Sequence, residues 1–141
     1  AGIGAAYAND GPVISFTGDG SIAFVLGDFE TIKRSNKNIT VILTRNDNYG
    51  WIRAEAILLD DVDAPWTTDF GAVDYIKIAE GFGFETARIT SEDQIEATLA
   101  EAINNPGANF IEMMVPSQDK IIPFVPPWVD VARERKLPYF Y

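Results

Sequence analysis

The 141-residue chain contains no histidine and no cysteine. The first absence removes the imidazole, the usual proton carrier near neutral pH, and with it every histidine metal ligand. The second removes disulfides, thiolate metal sites and thiol nucleophiles. Basic residues are also scarce: 11 Lys and Arg stand against 21 Asp and Glu, for a net charge of −10. They are scattered rather than clustered, so nucleic acid, whose phosphates call for grouped cations, is not an expected partner. No apolar run approaches the roughly 20 residues of a membrane-spanning helix, and no basic-then-apolar leader opens the chain. A membrane partner is therefore not expected, and the cytoplasm is the default compartment. The opening Ala1-Gly2-Ile3-Gly4-Ala5-Ala6 has no initiator Met and reads as a helix entered part-way. The expectation is a piece of a longer polypeptide.

What is present suffices for a core. Apolar residues make up 47% of the chain, and a domain of this size buries about 68–70% of its unfolded surface. Segments of two periodicities alternate. Asn9-Asp10-Gly11-Pro12 is a turn, and Val13 to Thr17 is a short apolar strand that stops at Gly18-Asp19-Gly20. Ile22, Val25, Leu26, Phe29 and Ile32 fall at helical spacing, which predicts one amphipathic helix over 21–35, with Gly27 as its weak point. Ile39 to Thr44 is a strand rich in β-branched residues. A short helix over 51–59, an acidic loop over 60–69 and a helix over 73–80 follow, the last ended by Gly81-Phe82-Gly83. Phe84 to Ile89 is a strand, and Ser91-Glu92-Asp93-Gln94 has capping-box form ahead of a helix that stops at Asn105-Pro106-Gly107. Phe110 to Val115 is the last strand. The alternation predicts an α/β fold: a doubly wound parallel sheet with helices on both faces. From Pro116 onward the chain carries five prolines and the aromatics Trp128, Tyr139 and Tyr141. That 116–141 tail is expected to dock on another domain or subunit.

In such a sheet the ligand crevice lies beyond the carboxyl ends of the strands. Asp19 stands just past one strand, and Asn46 stands 27 positions later just past the next. A carboxylate, an amide oxygen and a loop carbonyl on neighbouring strands would suit a hard cation such as Mg²⁺, leaving coordination positions for a diphosphate. Gly18 and Gly20 would let the backbone approach phosphates, and the N–H groups of Gly20, Ser21 and Ile22 would open a helix towards an anion. A lone Gly-Asp-Gly is more often a plain turn. The strand–helix–strand context and the Asn-x-x-x-Gly loop set this one apart.

Gly18-Asp19-Gly20-Ser21, then the Asn46 loop ending at Gly50, resembles the signature of thiamine-diphosphate-dependent enzymes. The likeness continues in Ala1 to Ala6, in Asp69-Phe70, in Tyr75 to Gly83, and in Ile122-Pro123-Phe124-Val125-Pro126-Pro127, stretches similar to the acetolactate synthase branch. It implies that residues 1–141 are the pyrophosphate-binding domain, with thiamine diphosphate and Mg²⁺ as cofactors. It further implies Asp19 and Asn46 as side-chain ligands of the metal, with the main-chain carbonyl of Asn48 as the third. Gly18, Gly20, Ser21 and Ile22 would contact the diphosphate, and Gly50, Trp51 and Ile52 would line the cofactor beyond it. Core packing is an equal alternative for Trp51 and Ile52.

Arg45 departs from the family pattern, which has a small polar residue there. It either adds positive charge near the phosphates or points into solvent, and the second is preferred. No catalytic residue is assigned in this chain. The resemblance implies that the activating glutamate comes from a pyrimidine-binding domain of a neighbouring subunit, hence a homo-oligomer, dimer or tetramer. Glu30 and Glu80 are expected on solvated helix positions, and Glu55 is nearer the crevice without an argued role. Asp60, Asp61 and Asp63 lack the spacing of a calcium loop and read as a solvated lid. The implied reaction cleaves a 2-oxo acid to CO₂ and joins the remainder to a second carbonyl. A simple 2-oxo-acid decarboxylase and an interaction module with a vestigial metal site are the alternatives.

Overall fold

A computed structural model of the chain describes residues 1–60, 62–117 and 126–136. It divides into two compact units, one formed by Ala1–Arg45 with Val73–Val115 and the other by Asn46–Ala72 with Pro116–Tyr141. No helix among the described residues is long and apolar enough to cross a membrane.

The first unit holds a four-stranded parallel sheet in the order β1-β2-β4-β3, formed by β1 (Val13–Gly18), β2 (Ile39–Arg45), β3 (Glu85–Ile89) and β4 (Ala108–Met114). The two central strands are the ones whose burial does not alternate along the chain. Ile39 to Leu43 and Ala108 to Glu112 are all buried, as strands covered on both faces must be. One face packs Ala6 of α1 (Gly2–Ala8), Phe29 and Ile32 of α3 (Asp28–Ser35), Tyr75 and Ala79 of α6 (Tyr75–Gly81), and Phe84 just before β3, against Ile39, Val41, Leu43 and Phe110. The opposite face packs Ile42, Ile89 and Ile111 against Ala102 of α7 (Ile95–Asn104). Each fully buried Ile, Leu or Phe contributes about 1.5–3 kcal/mol to the folded state. The predicted doubly wound α/β sheet with helices on both faces is therefore the observed fold.

One expected helix is in fact two. Instead of a continuous helix over 21–35, α2 (Asp19–Ile22) is followed by turns and then by α3. The N–H groups of Phe24, Val25, Asp28 and Phe29 bond carbonyls three residues back, so the ladder tightens across Gly27 instead of continuing. The helix also begins at Asp19 rather than Ser21. The capping box is as read: Ser91 and Gln94 exchange side chain-to-backbone bonds, ahead of a 3₁₀ turn and α7.

In the second unit, α4 (Gly50–Glu55) passes into a π-helical turn, Ala56–Asp60, where one predicted helix had been expected. The predicted acidic loop contains α5 (Pro65–Thr68), with Pro65 opening the helix as its fixed φ allows. Helix α8 (Pro126–Glu134) packs on the π-helical turn, and Arg135 donates to the Leu59 carbonyl at 3.2 Å. The Pro-rich likeness at 122–125 and the aromatics Tyr139 and Tyr141 lie outside the described residues, as does the side chain of Trp128.

Candidate functional site

Two short segments carry the predicted site residues, one in each unit. In the first unit β1 ends at Gly18, whose extended backbone (φ −94°, ψ 163°) serves as N-cap of α2. Thr44 Oγ1 donates across to the Thr17 carbonyl at 3.2 Å, tying the carboxyl ends of β1 and β2 together. Asp19 follows at once and is buried at 4% exposure, its Oδ1 accepting from the Gly20 N–H at 3.0 Å. A Cβ at Gly18 would meet nothing nearer than the Thr44 carbonyl at 4.0 Å. The fold itself does not require glycine there; the missing side chain keeps open space beside Asp19. Ser21 is exposed, whereas the Ile22 side chain is buried in the core, so Ile22 can offer a ligand only its backbone.

In the second unit the loop Asn46–Tyr49 is held by a segment that sequence reasoning passed over. Asp47 adopts a left-handed conformation (φ 61°), which Asp and Asn tolerate better than most residues, and this reverses the chain. The Asn48 N–H bonds back to Asn46 Oδ1 at 3.3 Å. The Asp47 carbonyl accepts from the Phe70 N–H at 2.8 Å, and the Tyr49 N–H donates to the Thr68 carbonyl at 2.9 Å. Asn48 and Asp69 thereby form an antiparallel bridge, and the Tyr49 and Phe70 rings meet edge to face at 4.5 Å. The Asp69-Phe70 pair, noted in the sequence only as a likeness, is what pins this loop.

Asn48 is the informative residue here. Its Nδ2 donates to Ser117 Oγ at 2.7 Å, while its Oδ1 is buried and has no hydrogen-bond partner among the described residues. An unsatisfied buried acceptor costs about 1–3 kcal/mol. Gly50 is buried, but Trp51 and Ile52 are 54% and 58% exposed. Neither side chain is part of the core of the described residues.

Asp60 and Asp63 are exposed, as expected of a solvated acidic segment; Arg53 also binds Asp63 through Nε and Nη2 (2.9 and 3.2 Å) and Asp69 through Nη1 (3.0 Å). One expectation about a charge is corrected. Arg45 does not point into solvent: its Nη1 donates to Glu112 at 2.7 Å and its guanidinium lies over the Tyr75 ring. Glu112 sat in the sequence as a lone acid inside the apolar run Phe110 to Val115, a pattern that demands a buried partner. The remaining carboxylates behave as expected. Glu30 is exposed and pairs with Arg34, whose hydrogen bond holds the carboxyl below its ordinary pKa; Glu80 accepts from Thr86, and Glu55 is exposed.

The family model for "Thiamine pyrophosphate enzyme, C-terminal TPP binding domain" matches residues 1–113. The chain belongs to this family. Within it the likeness is to the acetolactate synthase branch. The chain is 34% identical over 128 residues to acetolactate synthase isozyme 1 large subunit of Escherichia coli, covering 90% of this chain and 23% of that protein. Isozyme 2 of the same organism is 30% identical over 129 residues, with the same coverage. The chain thus spans less than a quarter of the length of these relatives. Among solved structures, the 4-hydroxybenzoylformate decarboxylase of Rhodococcus jostii superposes with a TM-score of 0.76 at 22% identity, over 84% of this chain and 22% of that one. Benzoylformate decarboxylase from Polynucleobacter necessarius gives 0.74 at 19% identity, over 82% and 22%. At these identities the two structures establish the fold alone.

As a thiamine pyrophosphate-binding domain, the chain offers residues that fit the group. Asp19 is a buried carboxylate at a strand end beside open space; the Asn48 side-chain Oδ1, which has no donor among the described residues, is not the main-chain oxygen expected to bind a metal. Ligands confined to oxygen match the preference of a hard divalent cation.

Proposed function

We propose that this chain is the diphosphate- and Mg²⁺-binding part of an acetolactate synthase-like enzyme, one that decarboxylates a 2-oxo acid and forms a carbon–carbon bond. The observation that carries the reading is Asp19, a buried carboxylate at the carboxyl end of a parallel strand beside a glycine that the fold does not itself require. In this reading the Asp19 carboxylate, the Asn46 amide oxygen and the Asn48 carbonyl hold Mg²⁺. Backbone N–H groups of Gly20, Ser21 and Ile22 orient the diphosphate, Gly18 leaves room for it, and Gly50, Trp51 and Ile52 flank the rest of the cofactor. When bound, thiamine diphosphate supplies the electron sink for decarboxylation, while the protein supplies placement and electrostatics. The resemblance to the family assigns activation of the cofactor to a glutamate of a pyrimidine-binding domain. That domain would come from a neighbouring subunit of a cytoplasmic dimer or tetramer, with the 116–141 tail docking in the assembly.

Carbon–carbon bond formation is preferred to simple decarboxylation for a stated reason. Two relatives at 30% identity or more are acetolactate synthase large subunits, whereas the two decarboxylases resemble this chain at the level of fold. Calorimetric titration of the intact protein with thiamine diphosphate, with and without Mg²⁺, tests the site. Binding should require Mg²⁺, and Asp19→Ala should weaken it by about a hundredfold or more, roughly 2.7 kcal/mol. Retained affinity in that variant would refute the ligand assignment.

A further inference from the structure

Arg45, Glu112 and Arg88 form a charged cluster inside the sheet that none of the roles above uses. Glu112 lies on the central strand β4, with Leu43 of β2 and Arg88 of β3 as its register partners on either side. Arg45 stands two residues beyond Leu43 and therefore on the same face. The Glu112 side chain is fully buried; Oε1 accepts from Arg45 Nη1 at 2.7 Å and Oε2 accepts from Arg88 Nε. The Arg45 side chain is 13% exposed and its guanidinium lies 5.4 Å from the Tyr75 ring centroid. The Arg88 side chain, on the edge strand, is half exposed.

Burying an ion pair seldom adds net stability over a well-packed apolar pair, and its best-attested use is to fix a register. Arg45 is placed where a register matters. It is the last residue of β2, paired with Met114 and bonded through its carbonyl to the Val115 N–H at 2.9 Å, and the next peptide bond leads to Asn46. A slip of one residue here would turn Arg45 to the opposite face and break its contact with Glu112. The Arg45 guanidinium thus contacts both Glu112 of β4 and Tyr75 of α6.

We infer that Arg45 and Glu112 are a positioning pair for Asn46: Glu112 fixes the end of β2 through Arg45, and so the point at which the metal-ligand loop leaves the sheet. This rests on the metal-binding reading of Asn46. Arg88 serves only as the second counter-charge that keeps Glu112 tolerable when buried.

The test uses the intact protein, titrated with Mg²⁺ at saturating thiamine diphosphate, with thermal unfolding of each variant alongside. Arg45→Met should fold, because Arg88 still neutralises Glu112. It should weaken Mg²⁺ binding by about tenfold, the loss typical when a group that orients a metal ligand is removed. Arg45→Lys, which keeps the charge, should recover most of that loss. Arg88→Met should lower the melting temperature comparably and leave Mg²⁺ affinity as in the wild type. Equal affinities in Arg45→Met and Arg88→Met would overturn the inference and leave the cluster a stability element. Should Arg45→Met fail to fold, Glu112→Asp decides. Its shorter side chain withdraws the carboxylate from Arg45, so unchanged Mg²⁺ affinity there overturns the pairing. A wild-type protein without Mg²⁺-dependent binding would instead remove the metal-site reading itself, and this inference with it.

Discussion

Glu112 and Arg53 are each a single charge held by two of opposite sign, at different depths. Glu112 is wholly enclosed by the sheet, between one guanidinium that is itself nearly buried and one that is half exposed. Arg53 forks onto Asp63 and reaches Asp69, yet those carboxylates are 54% and 44% exposed. The geometry of the Arg53 cluster is the better of the two, since the planar fork meets Asp63 at two points. Depth nevertheless decides the energetics. Water screens an exposed pair to about 0–1 kcal/mol, whereas removing one partner of a buried pair strands the other in a poor dielectric.

The comparison can be broken most directly at Glu112. Glu112→Leu should destabilise the protein by about 3–5 kcal/mol in denaturant unfolding, because it removes the fully buried, doubly bonded central member of the ion cluster. A loss under about 1 kcal/mol would place the two clusters in one class. Arg53→Met should cost about 1 kcal/mol or less per pair, and the difference from wild type should shrink as salt is raised. Salt dependence of the Glu112→Leu effect would contradict its burial. The smallest effect is expected at Asp74, the exposed N-cap of α6. The Lys77 backbone N–H bonds its carboxylate, and the Lys77 ammonium lies 3.2 Å from it. Those bonds, the backbone one first, lower the folded pKa below the ordinary value of 3.8. The stability they add is therefore present above that ordinary value and is lost as pH falls through the lowered one. Asp74→Asn keeps the cap and removes the titration, so only the acid limb of a melting-temperature profile should flatten.

The same contrast explains what was legible in the sequence. The sheet could be read because its signals are local: a β-branched run at Ile39 to Thr44, turn residues at Asn9 to Pro12, and a capping box at Ser91. Helix α3 was misjudged at its start because the apolar spacing runs smoothly through Gly27, while the backbone tightens there into three-residue turns. At the site, Asp19 and Asn46 were readable as strand-end residues. Their surroundings were not, since the bridge from Asn48 to Asp69, the bond from Asn48 to Ser117 and the ion pair from Arg45 to Glu112 join residues distant in sequence. Arg45 shows the difficulty best. An arginine at a strand end reads as solvated until the register shows which acid lies beside it, and twenty-one acids were available.

The strand order carries a consequence for how the chain acquires its structure. β4 is the last strand of the sheet in sequence, yet it lies between β2 and β3. Until Ala108 to Met114 have been made, β3 has no partner among the described strands, and the edge of β2 that carries the β4 pairing stands open. Pairings of such long sequence separation slow folding, because the chain must close large loops before any contact rewards it. A ribosome-bound chain halted before Ala108 would therefore hold most of the apolar residues of the core and lack the strand that joins them. The centre of this sheet is added last.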